Sequence, residues 1–140
     1  MLVMAPERSL PLLETLESCG IDVLAVCDCS EARRMLEIQP VQVVLTDTAL
    51  PDGDWRRVLE IVERRRRKIQ VVVCSRLSDP KLWLDVLEQG GYDVLIEPYQ
   101  HEEVRRTVEV AAARSYPYPR AQAISHQPRA GAAVVAGMRS

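Results

Sequence analysis

The chain has 140 residues, of which 47% are hydrophobic and 27% are charged, and its formal net charge is −2. These values are typical of a single soluble domain with a hydrophobic core, and the bulk charge gives no indication of nucleic-acid binding. Pro6, Glu7 and Arg8 interrupt the apolar start, which excludes a signal-peptide core or a membrane span there, so a cytoplasmic location is expected.

Short apolar runs rich in β-branched residues alternate with segments of helical periodicity along the first 114 residues. The runs are Leu2–Met4, Val23–Val26, Val41–Leu45, Val71–Cys74 and Val94–Ile96. Strands that are apolar throughout need cover on both faces, and strictly alternating elements favour right-handed parallel crossovers. The pattern therefore predicts an α/β fold: a doubly wound, five-stranded parallel sheet with helices on both faces.

Residues with special backbone or capping chemistry mark the predicted helix ends. Gly20 is expected to end the first helix, and Gly90-Gly91 is expected to stop the fourth. Ser30 is expected to cap the second helix and Asp54 the third.

The character of the chain changes after Arg114. Residues 115–140 contain three Pro, two Gly, three Arg and no acidic residue. This composition predicts a domain at 1–114 followed by a mostly disordered C-terminal tail at 115–140. The tail is interpreted either as a linker or as a segment that tethers or binds a partner.

Polar residues follow three of the predicted strands, and together they carry a family resemblance. Asp47 follows strand three and precedes Thr48-Ala49-Leu50-Pro51-Asp52-Gly53-Asp54, Ser75 ends strand four, and Glu97-Pro98-Tyr99 follows strand five. In this order they resemble the receiver domain of bacterial two-component response regulators, over roughly Met1 to Arg114. The resemblance implies a flavodoxin-like receiver fold, a role in phosphorelay signal transduction, and Asp47 as the phosphoacceptor candidate.

The loop after strand one departs from the family pattern. Receivers hold magnesium with a pair of adjacent acidic residues there, because that hard ion prefers oxygen ligands. Here the stretch is Ala5-Pro6, so Glu7 is left as a single carboxylate to join Asp47. We therefore expect a weak metal site that does not function, and no cofactor unless magnesium binds there after all.

A second departure lies after strand five, where the family has a Lys before the Pro and this chain has Glu97. A carboxylate near Asp47 opposes an added phosphate. Arg8 or Arg76 is predicted to place a guanidinium between Asp47 and Glu97, unless both arginines are solvated surface residues. Ser75 matches the hydroxyl that binds the phosphoryl group in the family, and it fits equally well as a residue that closes the strand.

The fourth helix contains more apolar residues than one buried face requires. Its buried stripe is predicted to consist of Leu82, Trp83, Val86 and Leu87, with Leu84 pointing elsewhere. In the receiver family, partners and second copies dock on the face made by helix four, strand five and helix five. The resemblance thus implies these interaction-surface candidates: Leu84, Asp85, Tyr99, His101 and Arg105.

These features favour a non-enzymatic receiver that acts as a phosphorylation-independent protein-interaction or dimerisation module. Its expected partner is a signalling protein such as a histidine kinase or a downstream effector, or a second copy of the chain. The alternative is a response regulator phosphorylated on Asp47 with a weakened magnesium site. A third hypothesis, DNA binding through Arg64–Lys68 or the basic tail, is disfavoured because cations commonly lie at helix carboxyl ends.

Overall fold

The computed structural model describes residues 1–65 and 68–115, in which five parallel strands form one sheet. Its strands, in spatial order, are β2 (Ala25–Val26), β1 (Leu2–Val3), β3 (Val43–Asp47), β6 (Gln70–Ser75) and β7 (Asp93–Ile96). A small antiparallel hairpin, β4 (Ala49–Leu50) and β5 (Gly53–Asp54), lies between β3 and the third helix. The predicted five-stranded parallel sheet is confirmed.

In the described ranges, four helices connect strands of the sheet and a fifth follows the last strand, and together they pack on both faces of the sheet. They are α1 (Pro6–Ser18), α2 (Cys29–Ile38), α3 (Trp55–Glu63), α4 (Pro80–Glu88) and α5 (His101–Ser115). Helix α1 packs against α5, and α2 packs against α3, so each face of the sheet is covered. Val43, Val44 and Leu45 of the central strand are fully buried, as expected for a parallel strand enclosed on two sides.

Helices α1 and α4 end shortly before the glycines that were predicted to stop them. Gly20 has a φ of +79°, and its N–H donates to the Glu17 carbonyl at 3.0 Å. Ile21 N–H donates back to the Leu16 carbonyl at 3.1 Å, which completes a Schellman-type ending. Gly90, just after α4, has a φ of +104°.

Asp54 caps α3, as predicted. Its carboxylate accepts hydrogen bonds from the N–H groups of Arg56 at 3.0 Å and Arg57 at 3.3 Å. These two N–H groups belong to the first turn of α3, whose N–H groups have no acceptor within the helix. The cap fixes the start of α3 at the residue after the β4–β5 hairpin.

Removing this cap tests its contribution. Asp54→Ala is expected to lower the free energy of unfolding by about 1 kcal/mol, because two first-turn donors lose their acceptor. Urea unfolding followed by circular dichroism measures the change. Glu37→Ala, at an exposed position in α2, is the control and is expected to change stability by less than about 0.5 kcal/mol. Equal effects of the two substitutions would contradict this account of the cap.

The prediction that Ser30 caps α2 is wrong. Ser30 lies inside the helix, and Asp28 caps it by accepting from Glu31 N–H at 2.8 Å. Asp28 has an extended backbone, with φ −151°, which is the conformation of a residue at the N-cap.

The buried stripe predicted for α4 is only partly correct. Val86 is fully buried, and Leu82 packs partly against the core. Trp83, however, is 48% exposed, and Leu84 is 50% exposed. The outer surface of α4 therefore carries two neighbouring large apolar side chains rather than one.

Helix α5 includes Ser115, one residue beyond the predicted domain boundary. Ser115 is buried, and its hydroxyl donates to the Ala112 carbonyl at 2.7 Å. The predicted tail beyond it lies outside the described residues, as do Arg66 and Arg67 of the basic run. Within the described part of the chain, no helix has the length and apolar character needed to cross a membrane.

Candidate functional site

Asp47 lies at the carboxyl end of the central strand β3, at the edge of the sheet where doubly wound folds place their sites. Its side chain is 17% exposed. Oδ1 accepts a hydrogen bond from the backbone N–H of Thr48 at 2.7 Å and one from Arg8 Nη2 at 3.2 Å. The carboxylate is thus held by the next residue of its own loop and by a cation from another element.

Arg8 comes from the first turn of α1, which begins directly after β1. Because β1 pairs with β3, this turn lies beside the end of β3 and brings Arg8 to Asp47. Arg8 Nη1 also lies 3.6 Å from Glu97 Oε2. The Arg8 side chain is only 8% exposed, and its Nε has no hydrogen-bond partner among the described residues.

The structure therefore brings Arg8, Asp47 and Glu97 together, with the guanidinium between the two carboxylates. We call these three residues the ion triad. The triad joins α1, β3 and the connection from β7 to α5, in which the Glu97–Pro98 peptide bond is cis. Desolvated charges are tolerated only when they are paired, so each member depends on the others.

Ser75 and Arg76 lie at the neighbouring end of β6, outside the triad. The buried Ser75 hydroxyl donates to the Leu77 carbonyl at 3.0 Å and accepts from Leu77 N–H at 3.1 Å. These bonds close the strand end, and the phosphoryl-binding interpretation of Ser75 stays a prediction. Arg76 is exposed and forms no ion pair within the described ranges; it lines an open cleft with Thr15 and Tyr99.

The residues present do not fit a magnesium ion. Ala5 and Pro6 offer no carboxylate, and Glu7 is exposed in the first turn of α1. The buried Arg8 guanidinium occupies the space beside Asp47 where a cation would bind. No group of three or more His, Cys, Asp or Glu side chains within residues 1–65 and 68–115 is arranged to hold a metal.

Two further polar side chains beside the triad are uncharged at neutral pH. Cys74 pairs in register with Asp47. Burial first, and the Asp47 charge second, raise the pKa of the Cys74 thiol to about 12. Burial likewise raises the pKa of Tyr99, whose hydroxyl is enclosed. The charge of the site is therefore set by the ion triad.

Asp52 braces the loop after Asp47, a role that sequence reasoning did not identify. Its carboxylate oxygens accept from the N–H groups of Cys29 at 2.8 Å and Ser30 at 3.0 Å, at the start of α2. The hydrogen bond from Cys29 N–H is the largest cause of the lowered pKa of Asp52. A helix N-terminus attracts carboxylates, but the sequence did not show which acid reaches it.

Two of the interaction-surface candidates contact other parts of the domain, and their role in docking stays a prediction. Asp85 turns toward α3, where its Oδ2 lies 3.8 Å from Arg56 Nη2. His101 turns toward α1, where its Nε2 lies 3.7 Å from Cys19 Sγ.

The other candidates differ in their accessibility. Arg105 is engaged on its own helix by Glu102 and by Glu109, the latter at 2.8 Å. Tyr99 is half-buried, and Leu84 is exposed on α4.

Trp83 is a surface residue that the sequence prediction had placed in the core. Its Nε1 donates to Asp93 Oδ1 at 3.4 Å, so the indole lies beside the edge strand β7. Together with the adjacent Leu84, Trp83 gives the outer surface of α4 an exposed apolar area.

Comparison with known proteins identifies the family. Residues 10–109 match the model of the response regulator receiver domain. The response regulator protein PilR of Pseudomonas aeruginosa is 28% identical over 101 residues, which is 71% of this chain and 23% of PilR. The chemotaxis protein CheY of Listeria monocytogenes is 25% identical over 76 residues, which is 54% of this chain and 63% of CheY. The chain thus spans less than two thirds of the length of these curated relatives.

Solved structures share the fold. The beryllofluoride-activated NtrC4 receiver domain dimer has a TM-score of 0.73 at 20% identity, covering 81% of this chain and 96% of that one. The receiver domain of the sensor histidine kinase PA1611 from Pseudomonas aeruginosa, solved with magnesium in its active-site cleft, has a TM-score of 0.66 at 22% identity, covering 81% and 93%. The family match, covering most of the chain, shows that this protein belongs to the response regulator receiver domain family of two-component signalling.

Proposed function

We propose that this receiver domain works without phosphorylation, as a protein-interaction or dimerisation module in two-component-type signalling. One observation carries the proposal: the buried guanidinium of Arg8 already pairs with the phosphoacceptor candidate Asp47 and with Glu97. A site whose cation is part of the chain does not depend on a metal ion for its charge balance.

The charge of the site argues against adding a phosphoryl group. The ion triad carries one positive and two negative charges, and a phosphoryl group on Asp47 would add further negative charge. Like unit charges about 4 Å apart at an effective dielectric constant of about 20 repel by roughly 4 kcal/mol. Glu97 supplies a like charge where the family has a Lys, and because Glu97 is 33% exposed, water screens part of the repulsion and reduces it below this value.

The proposed partner is a histidine kinase, a downstream effector or a second copy of the chain. The exposed pair Trp83 and Leu84 supports contact at α4, because aromatic and aliphatic side chains commonly anchor interfaces. The structurally similar NtrC4 receiver domain was solved as a dimer, so self-association is one specific form to test. The cytoplasmic location expected from the sequence stays a prediction.

The alternative function, phosphorylation of Asp47, is tested with a small phosphodonor. The full chain is incubated with acetyl phosphate and magnesium, beside a phosphorylatable receiver that shows the donor to be active. We expect the intact mass of the wild type to stay unchanged after this treatment, as we expect for Asp47→Asn. An added phosphoryl group that Asp47→Asn abolishes would overturn the proposal and favour the alternative.

A further inference from the structure

An open cleft lies between α1 and the connections that follow β6 and β7. Its volume is about 610 Å³, which is in the range of sites for small molecules. Three separate parts of the chain line it, with the residues Pro11, Thr15, Arg76, Glu97, Pro98 and Tyr99. The cleft shares Glu97 with the ion triad, and its other lining residues lie outside the triad.

Arg76 and Glu97 supply the two charges of the cleft lining. They directly follow Ser75 and Ile96, which pair in register at the ends of β6 and β7. Glu97 N–H donates to the Ser75 carbonyl at 2.9 Å, which holds the two connections side by side. The Arg76 and Glu97 side chains nevertheless form no ion pair with each other, because Glu97 Oε2 lies 3.6 Å from Arg8 Nη1 instead. A positive and a negative group thus lie on the same rim without neutralising one another.

The charges around the cleft complement a dipolar ligand better than a simple ion. The ion triad carries a net charge of −1, and the exposed Arg76 adds a charge of +1. Their sum is zero, so the rim attracts neither anions nor cations as a class. A ligand with both an ammonium and a carboxylate satisfies both groups, since a guanidinium binds a carboxylate through two parallel hydrogen bonds.

The remaining lining is mostly apolar. Pro11 lies on the α1 wall and Pro98 on the opposite one, and neither side chain carries a polar atom. Tyr99 is half-buried with its hydroxyl enclosed, so it adds no free polar side-chain group to the cleft. Thr15 adds a single hydroxyl. A ligand with an apolar body covers this surface and keeps its charged groups at the rim.

We propose that the cleft binds a free amino acid with an apolar side chain. Arg76 holds the carboxylate of this ligand, and Glu97 holds its ammonium group. The ligand side chain packs against Pro11 and Pro98. This site goes beyond the proposed function, because it makes the receiver responsive to a small molecule and requires neither a phosphoryl group nor a metal ion.

L-Phenylalanine is the probe, and two relatives that each lack one charge are its controls. At neutral pH, 3-phenylpropanoate keeps the carboxylate and 2-phenylethylamine keeps the ammonium group. Each is titrated into the isotope-labelled full chain at matched ionic strength, followed by amide NMR. L-Phenylalanine is expected to shift the amide resonances of Thr15, Arg76 and Tyr99, with a dissociation constant in roughly the millimolar range. The relatives are expected to bind about tenfold more weakly, because each leaves one charge of the rim unpaired.

Variants of the two charged residues test the assignment within the protein. Arg76→Gln and Glu97→Gln are each expected to weaken the binding of L-phenylalanine about tenfold. Arg106→Gln is the matched control, since Arg106 is exposed on α5 and does not line the cleft, and it is expected to bind as the wild type does.

Three outcomes would overturn the assignment. They are the absence of saturable shifts at the cleft, equal binding of L-phenylalanine and either relative, and unchanged binding by Arg76→Gln. Each of these would leave the proposed function standing, because the titration involves no phosphodonor and no protein partner. Phosphorylation of the wild-type chain on Asp47 would instead overturn the proposed function and leave this site unaffected.

Discussion

Replacing Arg8 with Met is expected to lower the free energy of unfolding by about 2 to 4 kcal/mol, because it leaves two carboxylates near each other without a cation. Removing one partner of a fully buried pair costs somewhat more. The value is reduced here because Glu97 is 33% exposed and is partly screened by water. Urea unfolding of the full chain at neutral pH measures the change.

Arg76→Met is the matched control for Arg8→Met. Arg76 follows the end of a neighbouring strand, yet it is exposed and lines the open cleft. Its replacement is expected to change stability by less than about 0.5 kcal/mol. Adding Asp47→Asn and Glu97→Gln to Arg8→Met is expected to restore part of the lost stability, because no carboxylate then remains unpaired. A triple variant less stable than Arg8→Met would contradict the charge-based explanation.

Gly91→Ala is expected to lower the free energy of unfolding by about 1 to 3 kcal/mol through overpacking. A Cβ at this position would lie 2.4 Å from Val86 Cγ1 and 3.1 Å from the Val86 carbonyl oxygen. The backbone has little freedom to move away, since Gly91 N–H donates to that same carbonyl at 2.8 Å. The measurement is again the urea midpoint.

Val86→Ala removes the methyl groups that the new Cβ would meet, and so provides the test of this mechanism. The double variant Gly91→Ala/Val86→Ala is expected to lose less stability than the sum of the two single variants. Val86 is fully buried, so its own replacement leaves a cavity and carries a separate cost. Strict additivity would show that the clash with Val86 is not the cause.

The sheet was predictable from the sequence because its strands have a recognisable local sequence pattern. Val43–Leu45 and Val71–Val73 are apolar at every position, a pattern that only burial on both faces explains. Asp54 was also predictable, since a capping residue acts on the N–H groups that follow it directly. The error at Ser30 arose because Asp28, two residues earlier, is an equally good capping residue, and the choice depends on where the chain turns.

The site was predictable as a set of candidates but not as an arrangement. Arg8 and Arg76 both follow strand ends, and nothing in the sequence decides between them. The structure decides because α1 begins directly after β1 and directs Arg8 inward, whereas the Ser75 hydroxyl bonds to Leu77 and turns the chain outward at Arg76. Trp83 was misplaced because helical spacing alone does not reveal that its indole reaches Asp93 on an edge strand.

The most direct test of the closed, phosphorylation-independent site is the amide NMR spectrum of the isotope-labelled full chain, recorded with and without magnesium and beryllofluoride. Beryllofluoride mimics a phosphoryl group on an acceptor carboxylate. The account predicts that the resonances around Asp47, Ser75 and the β7–α5 connection keep their positions beyond the effect of added salt. Chemical-shift changes that are centred on Asp47 and absent in Asp47→Asn would contradict this account. They would show that the phosphoryl analogue and its metal displace Arg8 from Asp47.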